Sequence, residues 1–137
     1  MVVLAAIVGM LPGVAHAQGG KWVGTISNMG TVGGAADITV EPRGDKESRV
    51  KISVRNSKKE VRLGWDVVEG LCRQEGRQVA PQAKFLVIQN GMDGSGNGTA
   101  NIPKLESGKT YYVRVFEAGT MATDADAYGC AAISEKS

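Results

Sequence analysis

The segment Arg49-Val50-Lys51-Ile52-Ser53-Val54-Arg55 alternates without a break, its apolar side chains all even-numbered and its polar ones all odd. A strand shows successive side chains to opposite faces, so this pattern commits the segment to a β-strand with one buried and one wet face. Val61-Arg62-Leu63-Gly64-Trp65-Asp66-Val67 repeats the pattern in the opposite parity and turns Val61, Leu63, Trp65 and Val67 inward. Asn56-Ser57-Lys58-Lys59 between them is rich in turn formers, which predicts that the two strands pair as a hairpin.

Shorter runs of the same character flank this pair. Lys21 to Ser27 and Asp37 to Glu41 precede it, with Gly30, Gly33 and Gly34 in the connection and Pro42-Arg43-Gly44-Asp45 after the second. Phe85 to Gln89, Gly98 to Ile102, Lys109 to Phe116 and Tyr128 to Ile133 follow it. No stretch sustains a helical period. About eight short strands separated by turn residues predict an all-β fold, an antiparallel sandwich or closed barrel. Two longer connections, Arg73 to Pro81 and Ala118 to Ala127, stand where function usually sits on a β scaffold, and neither holds a recognisable constellation.

Residues 1–17 read differently. Met1 to Leu11 is apolar and uncharged, Pro12-Gly13 breaks it, and Ala15-His16-Ala17 places small residues before Gln18 in the manner of a signal-peptidase site. The apolar run is too short to span a bilayer of roughly 30 Å. It lacks the usual preceding Lys or Arg, which is expected of a start lying a few codons upstream. The expectation is a signal peptide at 1–17 and one domain at 18–137, exported to the periplasm or outside the cell. No integral membrane segment is expected in that domain. The chain holds two cysteines, Cys72 and Cys130, and in an oxidising compartment the simplest reading is one disulfide between them. Closing that loop is worth about 4 kcal/mol by chain entropy. A formal net charge of +2 fits solubility rather than an obligate polyanionic partner.

Trp65-Asp66-Val67-Val68-Glu69-Gly70-Leu71-Cys72 resembles the aromatic-His-x-His…Gly-x-Cys segment of the Cu/Zn superoxide dismutase-like β-sandwich family. Tyr128-Gly129-Cys130-Ala131-Ala132-Ile133 is similar to that family's closing Ala-Cys-Gly-hydrophobic segment. Tyr111 to Phe116 looks like the Tyr-Tyr-Val-x-Val-His strand of some exported members. The resemblance covers mainly residues 61–133. It implies a Greek-key β-sandwich or flattened barrel whose two cysteines pair. It does not carry the family's metal ligands: Asp66 and Val68 stand where the His-x-His pair belongs, and Phe116 where a further His belongs. A copper site needs imidazole nitrogens, and the only histidine of the chain, His16, lies in the expected signal peptide. Dismutase activity is not expected.

The same gap removes Ser-His-Asp, Cys-His and the commonest zinc chemistry. A carboxylate pair or a Lys or Tyr acid–base group remains, but Asp124 and Asp126, two apart on a loop, read as solvated side chains. Asp93-Gly94-Ser95-Gly96-Asn97-Gly98 imitates the start of a calcium loop, yet Lys104 stands at the twelfth position and the flanks read as strands. Tight turns with positive φ at Asn90-Gly91 and Asn97-Gly98 are the preferred reading. Asn97-Gly98-Thr99 is also a glycosylation triplet. Arg49, Lys51, Arg55 and Arg62 form a basic stripe on the outward face of the expected hairpin. Glu47 and Glu60 dilute it, and it reads as a solvated face. No aromatic platform accompanies it, so no nucleic-acid partner is expected; Trp22, Trp65 and Phe116 read as core. These readings converge on a non-catalytic exported β-sandwich that acts as a binding or structural module, with an unidentified protein or cell-surface partner and no cofactor. The alternative is a copper- or calcium-handling relative using oxygen ligands from Asp66, Asp93, Asp124 or Asp126.

Overall fold

Alternating burial appears where the alternating sequence calls for it. In a computed structural model, which describes residues 20–136, the chain forms nine strands: β1 (Lys21–Ile26), β2 (Ala35–Arg43), β3 (Glu47–Arg55), β4 (Arg62–Glu69), β5 (Arg77–Gln78), β6 (Ile88–Gln89), β7 (Gly96–Pro103), β8 (Tyr111–Glu117) and β9 (Gly129–Lys136). On β3 the even residues Ser48, Val50, Ile52 and Val54 are buried and the odd ones are exposed or half-exposed. The expected signal peptide at 1–17 lies outside the described residues.

All pairings are antiparallel, and the sheet runs β5-β4-β8-β9-β1-β2-β3-β7, with β6 also on β4. β9 is the bend. Its first part, Gly129 to Ile133, pairs with β8, and its last part, Ser134 to Lys136, pairs with β1. Gly24 of β1 sits against the backbone of β9 at this bend, where a Cβ would stand 2.7 Å from the Ala132 carbonyl oxygen; no larger residue allows that approach. The curl brings two inner faces together. Trp22, Ile38, Ile52, Leu63, Trp65, Ile88, Ile102 and Val113 meet there in one apolar core. Trp65 donates its indole N–H to the Leu86 carbonyl at 2.7 Å and meets the Phe85 ring edge-on, while Trp22 meets Tyr111 in the same way. Trp22 and Trp65 belong to the core as expected, whereas Phe116, equally buried at 2% exposed, lies on the other face of its strand over Gly64.

Several expectations change. The β3–β4 hairpin does not form: β3 pairs with β2 and β7, and β4 with β5, β6 and β8. Residues 56–61 instead cross between the two faces of the fold. Asn56 and Glu60 adopt positive φ (55° and 57°). Ser57 N–H bonds the Gly94 carbonyl and Lys58 N–H the Val32 carbonyl, so the backbone groups a hairpin turn would use are taken by other loops. Arg62 therefore lies on a different strand neighbourhood from Arg49 and Lys51, and the proposed stripe is broken; Arg55 pairs with Asp37. Asn97-Gly98 is not a turn but strand interior, opposite Ser53 and Ile52 of β3. The tight turn lies at 91–95, where Gly94, not Gly91, carries the positive φ (76°). Phe85 to Gln89 gives only the two-residue β6, preceded by a single 3-10 turn over Gln82–Lys84.

Candidate functional site

β4 and β8 depart from the half-wet pattern. Leu63 to Val68 and Tyr111 to Phe116 are buried at every position, on both faces. The inner residues of β4, Leu63, Trp65 and Val67, face the core as expected, but Gly64, Asp66 and Val68 are covered as well. The cover is supplied by the two long connections. Loop 70–76 folds back over the outer face, fixed by Gly76 N–H on the Tyr112 hydroxyl at 3.0 Å, and the 118–127 loop joins it through Asp124.

Strand register puts Asp66, Arg114 and Cys130 in one row across β4, β8 and β9. Directly opposite residues of an antiparallel pair share a face, so all three face the loops. Arg114 is 2% exposed. Its Nε donates to Asp66 Oδ1 at 3.0 Å and its Nη2 to Asp66 Oδ2 at 2.6 Å, a bidentate fork. Nη1 reaches both loops, donating to Glu75 Oε2 at 2.8 Å and Asp124 Oδ1 at 2.9 Å. The loops also clasp each other reciprocally: Glu75 N–H donates to Asp124 Oδ2 at 2.9 Å, and Asp124 N–H to Glu75 Oε1 at 2.7 Å. The Tyr112 hydroxyl donates to Asp124 Oδ1, and Gln78 donates to Asp66 Oδ2.

Every carboxylate oxygen in this cluster thus accepts at least one hydrogen bond. That satisfaction is what allows the Arg114 guanidinium and the Asp66 and Asp124 carboxylates to sit under cover, with the exposed Glu75 carboxylate closing the cluster from the solvent side, because an unpaired buried charge costs several kcal/mol. Burial disfavours the charged form of Arg114, but the hydrogen bonds and charge of Asp66, followed by Asp124 and Glu75, outweigh it and hold its pKa above the ordinary value. Burial likewise pushes the Asp124 carboxyl up, and the bonds from Tyr112, the Glu75 amide and Arg114 together bring it below the usual carboxylate range. The Tyr112 phenol is raised, first by burial.

The disulfide closes the same loop from its other side. Cys72 and Cys130 are bonded, with Cα atoms 5.9 Å apart, as the sequence reading expected. Both are half-buried. Beside them lies an open groove of about 520 Å³ lined by Arg73, Glu75, Asp124, Tyr128 and Cys130 among others.

Of the four carboxylates considered as oxygen ligands, Asp66 and Asp124 come together, both on Arg114. Asp93 sits in the 91–95 turn, its carboxylate accepting from the Ser95 amide and hydroxyl, an internal Asx turn. Asp126 is exposed and bonds Thr123. Among the described residues, no group of three or more His, Cys, Asp or Glu is arranged to hold a metal ion. The solvated reading of Asp124 is overturned, its side chain being only 8% exposed. Arg114 and Glu75 were missed. The available signal was a lone acid in the apolar run of β4 and a lone base in that of β8. No helix among the described residues is long and apolar enough to cross a membrane. No family model, curated protein or solved structure matches this chain.

Proposed function

We propose that this chain is an exported, non-catalytic β-sandwich that serves as a binding or structural module for a protein or cell-surface partner. The observation that carries the reading is the engagement, among the described residues, of the three carboxylates around buried Arg114 in holding that arginine and the two loops. A carboxylate acting as a general base or a metal ligand would have to give up these bonds, since Asp66, Glu75 and Asp124 are committed to Arg114, to backbone amides and to neighbouring side chains. The arrangement does what a structural cation does: it ties two loops to two strands.

Two features support kinship with the superoxide dismutase-like sandwich. Positions 66, 68 and 116 share the outer face of the adjacent strands β4 and β8, where ligands to one centre would have to gather. The order of β3, β4, β6 and β7 also supports a Greek key. β4 leaves β3 for the opposite face, β6 returns along β4, the tight 91–95 turn leads into β7, and β7 pairs with β3. Export is supported by the leader-like segment 1–17 and by the disulfide.

Calorimetric titration of the mature chain with copper, zinc and calcium ions tests the reading. Binding no tighter than about millimolar is expected, the range of weak accidental carboxylate sites. Stoichiometric micromolar binding that disappears in Asp66→Ala would replace it with the metal-handling alternative.

A further inference from the structure

We propose that a pocket beside Arg114 seats the side-chain carboxamide of an Asn or Gln on a partner protein, an assignment that rests on the binding-module reading above and gives its ligand a chemistry. An arginine carries five N–H groups. Four of those on Arg114 are spent: Nε and one hydrogen of Nη2 on Asp66, and the two hydrogens of Nη1 on Glu75 and Asp124. The fifth, on Nη2, has no partner among the described residues, although the side chain is only 2% exposed. A buried donor left without an acceptor is uncommon and calls for an occupant. Glu75 is bonded to Nη1, and Gln78 to the Asp66 oxygen that Nη2 also holds. Both line an open pocket of about 410 Å³, and Arg114 lines it with them, so the unspent N–H lies between these neighbours and faces the pocket.

The two glutamines complete the pattern. Gln78 Nε2 donates to Asp66 Oδ2 at 2.8 Å and to Gln82 Oε1 at 2.6 Å, which uses both of its hydrogens and fixes which way round the amide lies. Its Oε1 accepts nothing among the described residues. Gln82 Nε2 gives one hydrogen to the Trp65 carbonyl at 3.0 Å and keeps the other. Gln82 lines the same pocket. The pocket therefore offers two donors, on Arg114 and Gln82, and one acceptor, on Gln78. A carboxamide matches this set: its oxygen takes both donors on its two lone pairs, and its N–H donates to Gln78 Oε1. A carboxylate has no hydrogen for that acceptor and meets three carboxylates gathered on one guanidinium. An ammonium has no lone pair for the two donors. The rim is apolar and free of aromatic rings, formed by Ala122 and by Met121, which is 81% exposed. A flexible thioether there suits the methylene stem of an Asn or Gln better than the face of a sugar ring.

Two-dimensional NMR of the isotope-labelled chain, titrated with N-acetyl amino-acid methylamides of Gln, Asn, Glu, Lys and Ala, tests the site. Saturable shifts at the side-chain signals of Gln78, Gln82 and Arg114 Nε are expected with the Gln and Asn probes, with dissociation constants in the millimolar range for ligands this small. The Glu, Lys and Ala probes should bind about fivefold or more weaker, because each leaves part of the pocket's hydrogen-bonding set unpaired. Gln82→Ala, at an exposed position, should weaken the Gln probe about threefold or more while signals elsewhere stay in place. Equal binding of the Ala probe, tighter binding of the Glu probe, saturation by glucose alone, or an unchanged affinity in Gln82→Ala overturns the proposal. Silence of every probe up to about 50 mM overturns it too, water then being the occupant, and leaves the module reading to the metal titration above.

Discussion

A single arginine decides what the outer face of this sheet can be. Arg114 carries one positive charge into a region sealed by two loops, and three carboxylates come to it from three separate parts of the chain. The Asp124 carboxyl stands lower in the folded than in the unfolded chain, where it titrates near 3.8. Its contribution to stability is therefore complete above that unfolded value and is lost as pH falls through the lower folded value. Urea midpoints should stay level from neutral pH down to about pH 5 and drop below about pH 4, with a visibly shallower drop in Asp124→Asn. Parallel acid limbs in the two proteins would mean that Asp124 is not a contributor. The cluster was only half legible in the sequence. Asp66 stood out as a departure from a histidine motif, and its residue type suggested oxygen ligation. What no local pattern reveals is that Arg114, 48 positions later, lies directly opposite it. Glu75 and Asp124 were less legible still, because flexible-loop acids are usually solvated and only the fold-back of both loops brings them onto Arg114, covering Asp124 and leaving Glu75 exposed.

At the level of elements, period-two alternation read the faces of β3 correctly and those of β4 by half. Alternation reports which side of a strand is buried against the core; it does not report whether a loop later covers the other side. Nor does it name the partner strand. The 56–61 segment reads as a hairpin turn from composition, yet its donors bond the loops at Gly94 and Val32. Asn90, 1% exposed, holds this crossing from below, donating its side-chain amide to the Lys58 carbonyl at 3.0 Å. Asn90→Ala should cost about 1–3 kcal/mol by leaving that carbonyl unpaired. Chemical denaturation measures it, and a loss under about 0.5 kcal/mol would show that the crossing is held by backbone contacts alone. The two-strand arrangement of β4 and β8 also depends on fit across the outer face: Gly64 lies under the ring of Phe116, where a Cβ would collide. That pairing of a glycine with an aromatic ring on the neighbouring strand was visible in neither segment alone.

Over the whole molecule, the sheet supplies the apolar core and the ionic row supplies the attachment of its loops. The disulfide acts on both in different ways. It fastens one loop in the folded state, and it shortens the unfolded chain by closing 58 residues. Reduction should therefore lower the melting temperature by about 10 °C or more even where the core persists at 25 °C. Cys130→Ser should melt with the reduced protein, and a melt that ignores reductant would mean the cross-link adds nothing to global stability. The account as a whole rests on Arg114 acting as the internal cation for which the carboxylates are gathered. A double-mutant cycle in urea with Asp66→Val, Arg114→Met and the double variant tests this most directly. Each single change should cost about 3–5 kcal/mol, Arg114→Met by stranding Asp66 and Asp66→Val by removing the bidentate partner of Arg114, and the double variant should recover about 2 kcal/mol or more of the summed loss. Losses that add to within about 0.5 kcal/mol would contradict it, since the two side chains would then be acting independently.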